Sequence, residues 1–305
     1  IKWGQGAKCI GGEVKLLTLE RALELKRRGY LVNPDPDNET VREAYKLGGI
    51  TEFERHSRLG MVDEEAFLNE VERLRRLGAK YVTLKTGAYR APDLARAVKF
   101  ASEARIDLLT VDGAGGGTGM SPWRMMNEWG IPTVYLESLL YRFLRRLDEK
   151  GRFVPSCAIA GGIALEDQVF KALALGAPYT KAVCMGRATL TAAMVGKTHG
   201  QLLEQTFGTG QKYREALLRT FAGAPALKER YGADFDRIPP AAIALYTYYD
   251  RLAIGLRQLM AGARKFALDF VSRDDLIALT QEAANVSGIP YVMEADIEEA
   301  ERILG

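Results

Sequence analysis

Two apolar runs near the middle of the chain end on glycine, and both ends could hold an anion. The first is Ser156-Cys157-Ala158-Ile159-Ala160-Gly161-Gly162; the second, after a helix-like stretch from Glu166 to Gly176, runs from Tyr179 through Cys184-Met185-Gly186-Arg187. A strand ending on glycine lets backbone N–H groups approach a bound anion with no Cβ in the way. On adjacent parallel strands late in a β/α series, two such ends form the phosphate site typical of (β/α)8 barrels. The Arg187 guanidinium would add a bidentate charge to the same phosphate. Gly161, Gly162, Gly186 and Arg187 are therefore candidate phosphate residues. Taken singly, each glycine group reads equally as a strand-to-loop turn; the tandem with the arginine is what favours a phosphate.

Composition narrows the class of protein. With 305 residues, 47% of them hydrophobic, the chain can bury one large core or two modest ones. Its 42 Lys+Arg against 39 Asp+Glu give a net charge of +3, so no strong field is directed at a polyanion and nucleic acid is not an expected partner. Cys9, Cys157 and Cys184 are far apart and form no zinc or cluster spacing; their mostly apolar neighbours suggest buried thiols in a reducing compartment. His56 and His199 are the only histidines and have no partner pattern, so both read as surface residues. No run approaches a membrane span or a signal peptide, and the expectation is a cytoplasmic, globular protein.

The elements that must position these residues alternate strand with helix. Tyr81 to Lys85 reads as a strand after a helix from Asp63 to Leu77, in which Val71, Leu74 and Leu77 recur at helical spacing before Gly78. Pro92 to Ala104 reads as a helix, Ile106 to Val111 as an apolar strand suited to burial on both faces, and a basic helix ends near Lys150. From about Thr189 the pattern is mainly helical, broken at Pro239-Pro240. This order argues for parallel βαβ units, hence an α/β fold. Barrel-type strands are expected at Ile1, Tyr81, Ile106, Cys157 and Thr180, and five are too few to close a barrel of eight. Ile1-Lys2-Trp3-Gly4 already reads as a strand at the first residue, so an upstream segment or a partner subunit is expected to complete the barrel.

Four motifs carry a resemblance to a known family. Gly4-Gln5-Gly6-Ala7-Lys8, followed by Gly11-Gly12, resembles the G-Q-G-A-K-P-G-E-G-G signature of the FMN-binding synthase domain of glutamate synthase. Asp112 to Pro122 is similar to that family's S-G-H-D-G-G-T-G-A-S-P. Ala160-Gly161-Gly162 stands where the family has D-G-G, and Met185-Gly186-Arg187-Ala188 where it has F-G-T-A. Order and spacing match along roughly residues 1 to 195, and a weaker similarity returns at Tyr249 to Asp275.

The resemblance implies the C-terminal portion of a (β/α)8 TIM barrel, strands four to eight, across residues 1–195, with a mainly helical C-terminal extension over 196–305. It implies FMN across the strand ends, with Gln5 reaching the flavin ring and Lys85 near its N1–O2 edge. Thr118 and Gly119 would face the cofactor, and Gly161, Gly162, Met185, Gly186 and Arg187 would hold the phosphate. Lys8 falls on the family lysine that contacts substrate carboxylates, and Arg28 (or Arg27) lies near its substrate arginine. Catalytic roles would fall on Lys85, Gln5 and Lys8. Other readings stand beside these: Lys85 as a solvated strand-end lysine, Gln5 as a turn cap, and Arg27 and Arg28 as the basic last turn of a helix.

Departures fall on the substrate side of the flavin. Glu13-Val14 replaces the family's glutamine, Asn33 to Asp37 replaces a proline run followed by a histidine pair, and Gly48 to Val62 has no counterpart in the family pattern. The family's iron–sulfur cysteines and its glutaminase domain are absent from this sequence. The resulting expectation is an FMN-dependent oxidoreductase of amino-acid metabolism. It would transfer hydride between flavin N5 and a small carbonyl, imine or amino-acid-like substrate. Its electron donor would be another protein or a reduced pyridine nucleotide. The alternative is a non-catalytic or regulatory phosphate-ligand partial barrel within a larger complex.

Overall fold

The structure is a computed structural model that describes residues 1–4, 14–56, 63–116, 128 and 130–305. Its chain divides into two compact units, the first holding residues 1–162, 179–182 and 281–288 and the second holding 163–178, 183–280 and 289–305.

The first unit contains two sheets. A small antiparallel sheet has the order β1 (Val14–Leu16), β3 (Phe53–His56), β2 (Leu31–Asn33). It packs with α1 (Leu19–Arg27) around buried Leu16, Ala22, Leu25, Val32 and Phe53, and α2 (Glu39–Lys46) adds Val41 and Tyr45 at the edge of this cluster. Sequence patterning did not anticipate this sheet. Its strands are only three or four residues long, too short for alternation to register.

The larger sheet has the order β4 (Thr83–Thr86), β5 (Leu108–Asp112), β6 (Ser156–Ala160), β7 (Thr180–Cys184). β4 pairs parallel to β5 and β5 parallel to β6, with Lys85 opposite Thr110 and Thr110 opposite Ala158. Ile1 to Trp3, expected as a strand, contributes a parallel bridge from Lys2 to Lys85 on the other side of β4. The five expected segments therefore adjoin in chain order. Right-handed crossovers between strands in sequential order put the connecting helices on one face.

Burial follows that rule. Leu84 and Thr86 of β4, and Leu109 and Val111 of β5, are fully buried, whereas Thr83 is exposed and Lys85 and Thr110 are half-buried. The buried face meets α4 (Ala91–Glu103) and α5 (Thr133–Asp148). α4 begins with Pro92 in its first turn and presents Leu94, Ala97, Val98 and Ala101 to the core. α3 (Glu64–Arg76) packs beside it; Asp63 caps it by accepting from Ala66 N, and Phe67 and Val71 are its buried stripe. Trp3, Phe67 and Phe100 stack edge-to-face and face-to-face in this layer.

In the second unit, α6 (Glu166–Leu175), α7 (Arg187–Phe207) and α10 (Pro240–Gly262) are the principal packed helices. α7 and α10 approach closely because a Cβ on Gly196 would stand 2.3 Å from Ala244 Cβ, and one on Gly200 would stand 2.5 Å from Pro240. α8 (Gln211–Thr220) and α9 (Ala224–Tyr231) close a second cluster around Leu217, Phe221, Leu227, Phe235 and Ile243. The Pro239-Pro240 break is the start of α10, with Pro239 at the N-cap.

One expectation is corrected. Cys157 is buried as read, but Cys184 is exposed, because it closes β7 at the margin of the sheet among the described strands. His199 is exposed on α7, as expected of a surface histidine.

Candidate functional site

The carboxyl ends of β4, β5 and β6 carry the candidate chemistry of the first unit. Lys85 is held twice through its backbone by the Ile1–Trp3 segment: its N–H donates to Ile1 O at 2.9 Å, and its carbonyl accepts from Trp3 N at 2.8 Å. Its side chain leaves β4 on the face opposite the helices, and its Nζ lies 3.0 Å from Asp112 Oδ2. Asp112 ends β5 and is nearly buried, with 7% of its side chain exposed against 34% for Lys85.

The glycines around this pair divide by what their missing Cβ makes room for. Gly113 N donates to Ala160 O at 2.7 Å, joining the ends of β5 and β6. A Cβ on Gly113 or on Gly161 would stand 2.3 Å from Thr133 Oγ1, the first residue of α5, and the Thr133 hydroxyl donates to Gly161 O at 2.7 Å. Gly161, at φ +124°, thus serves a close contact between two strand ends and a helix start. For Gly162 (φ +77°), the only described atom within 4 Å of a Cβ would be Gly115 Cα, at 3.9 Å. Gly116 is required by Asp112, since its Cβ would stand 2.0 Å from Asp112 Oδ1.

In the second unit, Gly186 is the N-cap of α7 and Arg187 its first residue. A Cβ on Gly186 would meet nothing within 4 Å among the described residues. The N-terminus of a 21-residue helix carries N–H groups with no acceptor inside the helix and a positive dipole end, the chemistry that holds phosphates. Met185 and the Ala164 carbonyl both lie against the Tyr248 hydroxyl of α10, at 3.8 and 2.6 Å. Burial, with Tyr249 and Glu166 nearby, pushes the Tyr248 phenol up, so it remains a donor.

Arg28 is the C-cap of α1 and pairs with Glu24 of the same helix at 3.6 Å, with Lys26 and Arg27 in the last turn. Gln5, Lys8, Thr118 and Gly119 lie outside the described residues. Asp112, Thr133 and Tyr248 were not singled out by sequence. The Asp112-to-Pro122 motif contained the first of them, but nothing local joins Tyr248 to a residue 84 positions earlier.

A parallel α/β sheet whose strand ends carry glycine loops and a lysine defines a class of ligand-binding enzyme folds. Comparison with known proteins places the chain within it. A family model described as a conserved region in glutamate synthase matches residues 54–198. The archaeal-type glutamate synthase [NADPH] of Thermotoga maritima is 32% identical over 193 residues, 62% of this chain and 33% of that protein. That of Dehalococcoides mccartyi is 42% identical over 90 residues, 29% of this chain and 17% of that protein. The resemblance read from the motifs is thus borne out over residues 54–198, which match the conserved region of glutamate synthase. It spans a third or less of the length of these relatives.

Among solved structures, a flavocytochrome b2 variant with benzoylformate aligns at a TM-score of 0.34 and 14% identity, covering 77% of this chain and 43% of that one. A second variant with pyruvate bound aligns at 0.35 and 13%, covering 76% and 43%. Those scores are too low to assign a shared fold.

Proposed function

We propose that the chain forms the FMN-binding part of a flavin-dependent oxidoreductase, built as strands four to eight of a (β/α)8 barrel over residues 1–195 with a helical extension over 196–305. The observation that carries this reading is Lys85 at the end of a parallel strand, ion-paired on the face opposite α4 and α5 beside the glycine loops of β5 and β6. It lies inside the segment matching glutamate synthase. The sequential order Ile1–Trp3, β4, β5, β6, β7 supports a barrel rather than a doubly wound sheet, in which the order would reverse.

The residues fit such a cofactor. In the second unit, the Gly186 backbone, the start of α7 and the Arg187 guanidinium suit a phosphate monoester, with Met185 beside them in the chain; Gly161 and Gly162 of the first unit are the other proposed phosphate residues. Lys85 supplies a fixed cation for the pyrimidine edge of the ring. Gln5, Thr118 and Gly119 complete the cofactor contacts in this reading, and Lys8 and Arg28 bind the substrate. When bound, FMN supplies hydride transfer at N5 to or from a small carbonyl, imine or amino-acid-like substrate. The protein's contribution is orientation and charge. The electron donor is a partner protein or a reduced pyridine nucleotide, and an upstream segment or a partner subunit pairs with the open sheet edges. Among the described residues no helix is long and apolar enough to cross a membrane.

The exposure of Lys181, Ala182 and Cys184 on β7 favours a second reading, a non-catalytic phosphate-ligand module that acts only within a larger assembly. Heat release of the chromophore from purified protein, run against standards, tests the first. FMN is expected. FAD, or no flavin from folded protein, overturns it, and bound FMN that no reductant can cycle favours the second.

A further inference from the structure

Asp112 is a carboxylate with almost no access to water, placed at the end of β5 where the candidate chemistry lies. Lys85 registers with Thr110, so Asp112 stands two residues further toward the strand end on the same side of the sheet. The lysine stem therefore runs along the sheet surface to reach it, and the two charges meet at 3.0 Å. The loop folds back over the carboxylate: Gly116 N donates to Gly113 O at 2.9 Å, and Gly116 approaches Asp112 Oδ1 more closely than any residue with a Cβ could. Burying a carboxylate without a counter-charge costs several kcal/mol, so a loop that covers Asp112 selects the Lys85 conformation that pairs with it. A strand-end lysine otherwise swings through many rotamers in water. Here its backbone is fixed between Ile1 and β5 and its ammonium by Asp112.

We infer that Asp112 is the positioning residue of this site: it holds the Lys85 ammonium at the strand ends and offsets its charge, so a flavin bound there meets a compensated ion pair instead of a lone cation. The inference rests on the flavin reading above for the ligand, and on the geometry alone for the hold on Lys85. A compensated cation favours the anionic reduced ring less than a lone one does, so Asp112 biases the site toward oxidised cofactor.

The test has two arms in the intact protein. The first needs no flavin: Lys85 acylation by a dilute acylating reagent is followed by mass spectrometry relative to exposed Lys150. Asp112→Asn and Asp112→Ala should each raise the Lys85 rate several-fold; an unchanged rate in a folded variant overturns the inference. The second measures the reduction equilibrium of bound FMN against a reference dye. Asp112→Asn should shift it about tenfold toward the reduced form in the presence of Lys85 and by a clearly smaller factor in a Lys85→Met background, where the direct field of Asp112 remains but its hold on the ammonium is gone. Equal shifts in both backgrounds, or none in either, overturn it. Wild-type protein that binds no flavin instead removes the functional reading, while the acylation arm still decides whether Asp112 holds Lys85.

Discussion

The Thr133 hydroxyl donates to the Gly161 carbonyl at 2.7 Å from a position only 2.3 Å away from where a Gly161 Cβ would stand. The start of α5 is thereby locked against the end of β6, and the same threonine excludes a side chain at Gly113. Gly161→Ala, which adds steric overlap at φ +124°, should destabilise the protein by about 1–3 kcal/mol or more. Gly186→Ala, in open space at a negative φ, should stay within about 0.5 kcal/mol of wild type. Chemical denaturation of the two variants measures the difference; equal stabilities would remove the close-contact account of Gly161.

Arg187 is exposed at the first position of α7, so it adds little to the core. Arg187→Ala removes a charge-assisted phosphate contact worth roughly 1.5–3 kcal/mol, and FMN affinity should fall about ten- to a hundredfold while the melting temperature holds. Fluorescence titration of apoprotein reads the affinity, and an unchanged dissociation constant would leave Arg187 with no part in cofactor binding.

Tyr248 ties α10 to the Ala164 carbonyl at the loop before α6. Tyr248→Phe keeps the ring and loses one hydrogen bond, so about 1 kcal/mol of stability should go. Gln168 also holds this loop, accepting from Ala164 and Leu165 N at 2.8 and 3.0 Å. Faster amide exchange should therefore be confined to residues near 163–165 and 185. Exchange that rises over the whole of α10 would show that the ring packing, and not the hydroxyl, matters.

Cys157 gives a pH prediction. Burial, with a smaller contribution from the Glu137 carboxylate, pushes its thiol up to about 12 from 9.0. The folded-state value is raised, so the stability tied to the neutral thiol is whole below pH 9 and is lost as pH rises toward 12. Over that window wild type should lose up to roughly 4 kcal/mol relative to Cys157→Ala, at about 1.4 kcal/mol per unit. Parallel denaturation of the two proteins between pH 8 and 11 reads it; superimposable curves would mean that water reaches the thiol.

Much of the parallel layer was legible in the sequence. Val71 recurs at helical spacing with the basic last turn of α3, Pro92 marks the start of α4, and Leu109 and Val111 belong to a mostly apolar run broken by Asp107 and Thr110. Each is a local signal with a period that one window of sequence can reveal. The antiparallel sheet was not legible, because β1, β2 and β3 are each too short to show a period and pair only through strand ends distant in the chain.

The site divides the same way. The sequence by itself determined that glycines end β6 and β7, that Arg187 follows the second of them, and that Lys85 ends a strand, because these are properties of residue type and position along the chain. Only the tertiary structure decided what each glycine is for. Gly161 is held by Thr133, Gly116 by Asp112 and Gly196 by Ala244, whereas Gly186 meets none of the described residues. The partner of Lys85 was likewise hidden in the sequence. An ion pair between adjacent parallel strands depends on register, and register here follows from a crossover through α4 that no short-range pattern encodes.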